Sequence, residues 1–430
     1  MAQNTGAGVG LDSSEAAWER ARELIPGGVS RDQLYLDPPL FGSRGEGPYL
    51  IDPAGERRLD FVNNYTSLIH GHAHPATAAA IAEQARLGTA LGVPSPLEAE
   101  LAREIVERLP AADMVRFTNS GTEANMLALQ LARHVTGRHR IAKFEGGYHG
   151  SHELLRVSVK PEDGGPRHRP TAVAEEGAEG FDLTDVLPYD DAAACEAMAA
   201  ESGGTWAALI VEPMQGSAGM LPAPAGLLAK CRELADRHGF LLVFDEVMTF
   251  RHGGHGLQTE WGITPDLTTL AKIIGGGLPV GAVAGPRRLM ERLAPPAPDR
   301  IHHAGTFNGN PLTMAAGLAT LGEYDVEAAV ALDARGERLR SRLQEALAPF
   351  ALSVSGWGSM MNVHARAETP SSWRDVRDSD RGRMGRIQLA LLDRGIFIAP
   401  RGMVVLSTTH REEHFDKLEA AFVGAAASAS

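Results

Sequence analysis

From Met114 onward the chain alternates short, continuously apolar runs with longer stretches in which apolar residues recur every three or four positions. MVRFT, RIAKF, WAALIV, FLLVF and DLTTL are runs of the first kind, and GTEANMLALQLARHVTG and GLLAKCRELADRHG are stretches of the second. Continuous apolar runs of this length suit strands buried on both faces, and the 3.6-residue period suits helices packed over them. The alternation predicts an α/β unit, a mainly parallel sheet covered by helices on both faces. In such sheets ligands sit beyond the carboxyl ends of the strands, which is where the polar clusters of this chain fall.

The flanks read differently. Ser14 is placed to cap a helix over EAAWERARELIPGG that ends at Pro26-Gly27-Gly28. GPYLIDPAGERRLDFVNNY reads as two short strands joined at Pro53-Ala54-Gly55, and ATAAAIAEQARLG and SPLEAELAREIVERLP carry helical spacing. Beyond about residue 325 come a long helix, the strand region LSVSGWGSMMNVHA, a further helix, IFIAPRGMVVLST and a closing helix. We therefore expect residues 71–325 to form a large domain, residues 326–430 a smaller α+β domain, and residues 1–70 to contribute to the smaller one.

With 430 residues, 43% of them apolar, the chain can bury a large core. A net charge of −13 argues against nucleic acid and anionic membranes as partners, and favours a small-molecule substrate. No apolar run approaches the roughly 18 residues of a membrane span. MAQNTGAGVGLDSS lacks a basic n-region and an apolar h-region, so we expect a frayed N-terminus and a cytoplasmic protein. Cys195 and Cys231 lie in helical stretches without metal or disulfide spacing, and read as core thiols. The histidines of HGHAHP and RHGGHG sit in glycine-rich turns without matching ligands, and we expect no metal.

Four clusters carry candidate chemistry. In PDLTTLAKIIGGGLPVG, Lys272 leaves an apolar strand and enters a loop too glycine-rich to stay helical. A desolvated ammonium there has its pKa pushed down and becomes a nucleophile toward a carbonyl, whereas a snorkelling lysine would do nothing. Ser120, Gly121 and Thr122 open a helix after a strand, as an anion site or as a plain helix cap. Tyr148, in GGYHG, can project over a flat ligand or stand idle in its loop. Asp245 ends the most apolar strand and needs a cationic partner, for which a protonated pyridine nitrogen, a metal and an arginine compete; Val247 follows it.

The order Ser-Gly-Thr, Tyr-His-Gly, Glu-Pro, Asp-Glu-Val, Lys and Gly-Thr-Phe resembles the class III aminotransferases, pyridoxal 5′-phosphate enzymes of fold type I. ERARELIPGGVSR and GTFNGNPLTMAAG resemble glutamate-1-semialdehyde aminomutase. RFTNSGTEAN, VEPMQG, LLVFDEVMT, PDLTTLAK and PRGMVVLS resemble the β-phenylalanine aminotransferases more closely. The resemblance implies that Lys272 forms the Schiff base with the cofactor, Asp245 holds its pyridine nitrogen protonated, Tyr148 stacks on the ring and Val247 lies beneath it. It implies that Ser120, Gly121 and Thr122 bind the phosphate, with Thr306 reaching it from the neighbouring subunit of a homodimer, and that Glu212 and Gln215 lie around the phenolic oxygen. Arg31 and Arg401 stand at the motif positions of carboxylate binders. Where PRGMVV stands, the aminomutase has an acidic FEAGF-like segment. The implied reaction moves the amine of an aromatic or apolar β-amino acid to an α-keto acid, such as 2-oxoglutarate or pyruvate; isomerisation of glutamate semialdehyde, or transamination of another amine or amino acid, is the alternative.

Overall fold

Seven strands make the central sheet of the computed structural model, which describes residues 13–32, 35–175 and 181–429. The expected frayed segment, residues 1–12, lies outside the described residues. In chain order the strands are β1 (Met114–Thr118), β2 (Arg140–Phe144), β3 (Thr184–Leu187), β4 (Trp206–Val211), β5 (Leu241–Asp245), β6 (Leu267–Ala271) and β7 (Gly281–Gly285). Their spatial order is β1-β7-β6-β5-β4-β2-β3. All run parallel except β7, which pairs antiparallel with β6 and β1.

Every residue of β4, β5, β6 and β7 is buried, as continuous apolar runs covered on both faces require. One face packs on helix α1 (Gly121–Thr136) through Leu127, Leu131, Ile210 and Val243. The other packs on the helix Leu227–His238 through Leu234, Leu209 and Leu242, and both cysteines are buried in that layer. Strands β3 and β7 were not among the expected ones. TDVL is short, and GAVAG is built of small residues whose strand character comes from their neighbours. A side chain at Gly281 would put its Cβ 2.0 Å from the Ser120 carbonyl oxygen, so glycine lets β7 lie against the start of α1.

The expected hairpin forms from Tyr49–Ile51 and Arg57–Asp60, and Arg57–Asp60 also pairs in parallel with Ile396–Phe397. This pairing brings the chain following Asp60 against the segment that carries Arg401. A second antiparallel sheet contains Ser353–Trp357, Met360–His364 and Met403–Val405. The first helix departs from expectation. It spans Ser14–Arg22 and ends before Pro26, and its cap is Ser13, whose hydroxyl accepts from the Ala16 N–H at 3.1 Å. Ser14 is instead buried and accepts from the Phe41 N–H at 3.0 Å. Among the described residues no helix is long and apolar enough to cross a membrane.

Asn63, Asn64, Tyr65 and Thr66 all have positive φ, from 47° to 77°, and form one turn of left-handed helix without a glycine. Each such residue costs about 1–2 kcal/mol, so the surroundings must hold the turn. The Asp60 carboxylate does this in part, accepting from the N–H groups of Val62 (2.6 Å) and Asn63 (3.1 Å), and the Asn63 amide donates to the Val405 carbonyl at 2.8 Å. The turn projects Asn64 and Tyr65 toward the carboxyl edge of the central sheet, where both line its cleft.

Candidate active site

A cleft of about 400 Å³ opens beyond the carboxyl ends of β1, β2, β4, β5 and β6. Arg31, Ser120, Gly121, Thr122, Tyr148, Glu212, Asp245, Val247 and Lys272, all singled out in the sequence, line it together. Gln215, Arg401 and Thr306 do not. Gln215 is buried behind the Tyr148 loop, where its amide donates to the Glu145 carbonyl at 2.9 Å. Thr306 is exposed on a turn beside Phe307, which is 59% exposed.

Asp245 ends β5 and is 5% exposed. Its Oδ2 accepts from Asn125 Nδ2 and His149 Nδ1, both at 2.8 Å, and its Oδ1 accepts from the Val247 N–H at 3.1 Å. Asn125 is oriented in turn by Thr269 of β6, whose hydroxyl donates to Asn125 Oδ1 at 2.6 Å. A carboxylate only accepts, so the hydrogen of the imidazole lies on Nδ1. Burial lowers the His149 pKa and keeps the ring neutral, and its Nε2 is buried without a partner among the described residues. Asp245 is therefore an ionisable group held at one orientation from three sides. Asn125 and His149 were missed in the sequence; His149 stands beside Tyr148 in the motif, and its partner is 96 residues away.

Lys272 follows β6 in the left-handed region (φ 56°), which turns the side chain off the strand. Burial lowers its pKa, against the opposing attraction of Asp245 and Glu212. This favours the neutral amine that a nucleophile needs. Glu212, at the end of β4, accepts from the Tyr148 N–H through Oε1 and from the Gly216 N–H through Oε2, each at 2.9 Å. Burial, followed by the Asp245 charge, pushes its carboxyl up to about 8. Tyr148 is 43% exposed, so its ring is available at the cleft while its backbone is tied to Glu212.

At the start of α1 the Ser120 hydroxyl accepts from the Glu123 N–H at 3.1 Å. Ser120 is thus a true helix cap, and its own O–H remains to donate. The first N–H groups of a helix have no intrahelical acceptor, so Gly121 and Thr122 present theirs with the positive end of the helix dipole. Glycines keep this corner open. A Cβ at Gly150 (φ 91°) would lie 2.2 Å from Thr122 Oγ1, and one at Gly121 would lie 3.0 Å from Val247 Cγ2. Asn119, whose amide donates to Asn308 Oδ1 at 2.7 Å, ties this turn to the segment that carries Thr306.

The two arginines differ in setting. Arg31 is exposed, donates to Asn64 Oδ1 at 3.1 Å and lies 5.9 Å from the centre of the Tyr65 ring. Arg401 stands outside the cleft lining but in electrostatic reach of Tyr65, Glu212 and Tyr148. Its Nη1 donates to Ser217 Oγ at 3.3 Å, and its Nε is buried without a partner among the described residues. No carboxylate among the described residues pairs with either arginine.

A further lysine escaped the sequence reading. Lys143, in RIAKF, is fully buried, and its Nζ donates to the carbonyls of Gly147 (2.7 Å), Val157 (2.6 Å) and Leu155 (3.3 Å). It pins the loop that bears Tyr148. Burial pushes its pKa down to about 7. The histidines of the glycine-rich turns have local partners: His72 with Asp60, His74 with Glu323 and His252 with Asp333.

A buried carboxylate, an amine of lowered pKa and an open helix N-terminus around one cleft suit a molecule with a basic ring nitrogen, an aldehyde and a phosphate. The glycine-lined corner at Thr122 leaves space for such an anion. Fold and site together define a fold type I pyridoxal 5′-phosphate enzyme. The chain belongs to the class III aminotransferase family, whose model matches residues 32–420. It is 42% identical over 96% of its length to a glutamate-1-semialdehyde 2,1-aminomutase of Thermomicrobium roseum, of which 97% is covered. An omega-transaminase from Sphaerobacter thermophilus superposes with a TM-score of 0.92 at 40% identity, covering 97% of this chain and 98% of that one. A β-phenylalanine aminotransferase from Variovorax paradoxus gives a TM-score of 0.88 at 39% identity, covering 96% and 93%.

Proposed function

We propose that the chain transfers the amino group of a β-amino acid with an aromatic or apolar side chain to an α-keto acid. The observation that carries this reading is Arg401, a guanidinium with an unpartnered buried Nε within electrostatic reach of Lys272, as is Arg31 of the cleft lining. Two separated forks of N–H donors suit two carboxylates that sit at different distances from the reacting amine. A β-amino acid holds its carboxylate one carbon farther from the amine than the α-keto acid's product does.

When bound, pyridoxal 5′-phosphate supplies an electron sink for charge developed on the amine-bearing carbon. Asp245, locked by Asn125 and His149, would face the ring nitrogen as a fixed negative charge. Ser120, Gly121 and Thr122 would hold the phosphate, with Thr306 of a second copy reaching it in a homodimer. Tyr148 and Val247 would flank the ring, and Glu212 would lie near its phenolic oxygen, with Gln215 supporting the loop behind. Lys272 Nζ would take the proton from the amine-bearing carbon of the donor and return it on the other side of the reaction.

A second reading is isomerisation of an amino-aldehyde, as named for the Thermomicrobium roseum relative, and the 42% identity over nearly the whole chain favours it. The experiment is a half-reaction. Purified enzyme is mixed with (R)- or (S)-3-amino-3-phenylpropanoate, and separately with glutamate-1-semialdehyde, without any keto acid. Transfer predicts one equivalent of β-keto acid per site from the first and renewed turnover on adding 2-oxoglutarate or pyruvate. Sustained turnover of the semialdehyde alone, with no reaction of the β-amino acid, would replace the first reading by the second.

A further inference from the structure

Two buried acceptors behind the Tyr148 loop have no hydrogen-bond partner among the described residues. One is Nε2 of His149, whose Nδ1 hydrogen goes to Asp245. The other is Oε1 of Gln215, whose amide nitrogen donates to the Glu145 carbonyl. Both side chains are 1% exposed. A carboxylate and a carbonyl only accept, so these partners fix the hydrogens on His149 Nδ1 and Gln215 Nε2 and leave an acceptor at the other end of each group. An unpaired buried acceptor costs about 1–3 kcal/mol, and two of them around one turn need an explanation.

The turn is Gly146-Gly147. A side chain at Gly147 would put its Cβ 3.1 Å from His149 Nε2, 3.1 Å from the Phe144 carbonyl oxygen and 3.6 Å from Gln215 Nε2. One at Gly146 would put its Cβ 3.2 Å from Gln215 Oε1. Gly146 needs to be glycine for its backbone, with φ at 81°, but Gly147 lies outside the left-handed region. What glycine provides at position 147 is room, a hollow walled by polar atoms. The charged and polar groups around it are occupied elsewhere. Lys143 Nζ donates to the carbonyls of Gly147, Leu155 and Val157, and the Glu145 carboxylate is held by Arg374 at 2.7 and 2.9 Å. Glu212 accepts from the N–H groups of Tyr148 and Gly216, and Trp373 Nε1 donates to the Pro161 carbonyl.

We propose that this hollow binds one water molecule, which donates one hydrogen to His149 Nε2 and the other to Gln215 Oε1, and that Gln215 is thereby a positioning residue for Asp245. The second hydrogen of the Gln215 amide faces the same space, so the hollow offers the two to four polar partners that a buried water takes. The connection Gln215, water, His149, Asp245 runs from the back of the Tyr148 loop to the end of β5. It holds the imidazole at both nitrogens, and so fixes the plane in which Nδ1 meets the carboxylate. The water itself needs only the two acceptors, whereas the consequence for catalysis rests on the cofactor reading of the cleft.

The test combines a high-resolution crystal structure of the holoenzyme with nitrogen NMR of histidine-labelled protein, in which hydrogen-bonded and bare Nε2 atoms differ in shift. Loss of a signal in His149→Asn assigns it. We expect density for one water about 2.7–3.2 Å from both acceptors. Gln215→Met removes one acceptor, and Gly147→Ala fills the hollow with a methyl group while keeping the Gln215 bond to Glu145. Both should move the Nε2 signal toward that of a bare nitrogen. Both should also raise the pH midpoint of the cofactor's visible absorbance by about half a unit, the weight of one neutral hydrogen bond, because a less firmly held Asp245 leaves the ring less positive. No density between the two acceptors, a direct contact between the two side chains, or an Nε2 signal that neither variant moves would overturn the water. A moved signal with an unmoved midpoint would overturn the positioning role. If the wild type shows no borohydride-reducible absorbance, the reading of the cleft falls, and the density and the Nε2 signal decide the water by themselves.

Discussion

Replacing Arg401 by alanine separates carboxylate recognition from amine chemistry. The guanidinium has one weak contact, to Ser217 at 3.3 Å, a long contact to the Met403 sulfur at 3.6 Å, and a free Nε. Its donors are thus available to a substrate without breaking an internal ion pair. A hydrogen bond to a charged group contributes about 1.5–3 kcal/mol, so a two-pronged contact contributes about 3–5 kcal/mol. At 1.4 kcal/mol per factor of ten, Arg401→Ala should lower kcat/KM for carboxylate-bearing donors by about 10²-fold to several thousandfold. Arg401→Lys keeps the charge and loses the fork, and should recover all but about tenfold. The assay compares 3-amino-3-phenylpropanoate with 1-phenylethylamine, which shares the reacting carbon and ring but lacks the carboxylate, at one acceptor concentration. Cofactor absorbance serves as the control for an intact site. The neutral amine should lose less than threefold. Equal losses on both donors would show that Arg401 acts through the fold of the cleft, and the carboxylate assignment would fall.

The other predictions follow from single contacts. Lys272→Ala should abolish turnover and the borohydride-reducible absorbance; a variant that kept both would remove Lys272 from the chemistry. Gly150→Ala places a Cβ 2.2 Å from Thr122 Oγ1 in backbone that disfavours alanine, and should weaken cofactor binding by about tenfold or more in an apoenzyme titration. Arg31→Ala should cost about fivefold in kcat/KM for the β-amino acid, less than Arg401→Ala, because Arg31 is exposed. The Lys143 pKa is about 7 when folded and returns to the usual lysine value when unfolded, so between these values the unfolded chain binds more protons and stability rises with pH. Below about 7 the burial cost is fully present. The unfolding free energy of the wild type should therefore gain on that of Lys143→Met between pH 7.5 and 9.5, by about 1.4 kcal/mol per pH unit, as read by denaturant titration at each pH. Parallel pH profiles would exclude this titration.

What could be read from the sequence and what could not divide along one physical line. Lys272, Asp245, Glu212 and the Ser120 turn each end or follow an apolar strand, so local pattern places them at one edge of the sheet, and the structure brings them to one cleft. Strand β7 has no local signal, because its glycines and alanines serve the close approach of its neighbours. The same holds for the left-handed turn at Asn63–Thr66. Four non-glycine residues adopt it against their own preference, and one of the bonds that holds it reaches Val405, 342 residues along the chain. Asn125 lies within an ordinary amphipathic helix, and only the packing of α1 on the sheet turns its amide to Asp245, 120 residues away. Lys143 has no local signal because its three acceptors belong to a loop whose path depends on tertiary contacts. The chemistry-bearing groups are therefore legible, and the groups that orient them are not. Orientation is a property of contacts between distant segments, and in this protein those contacts hold Asp245, the Tyr148 loop and Tyr65 in position around Lys272.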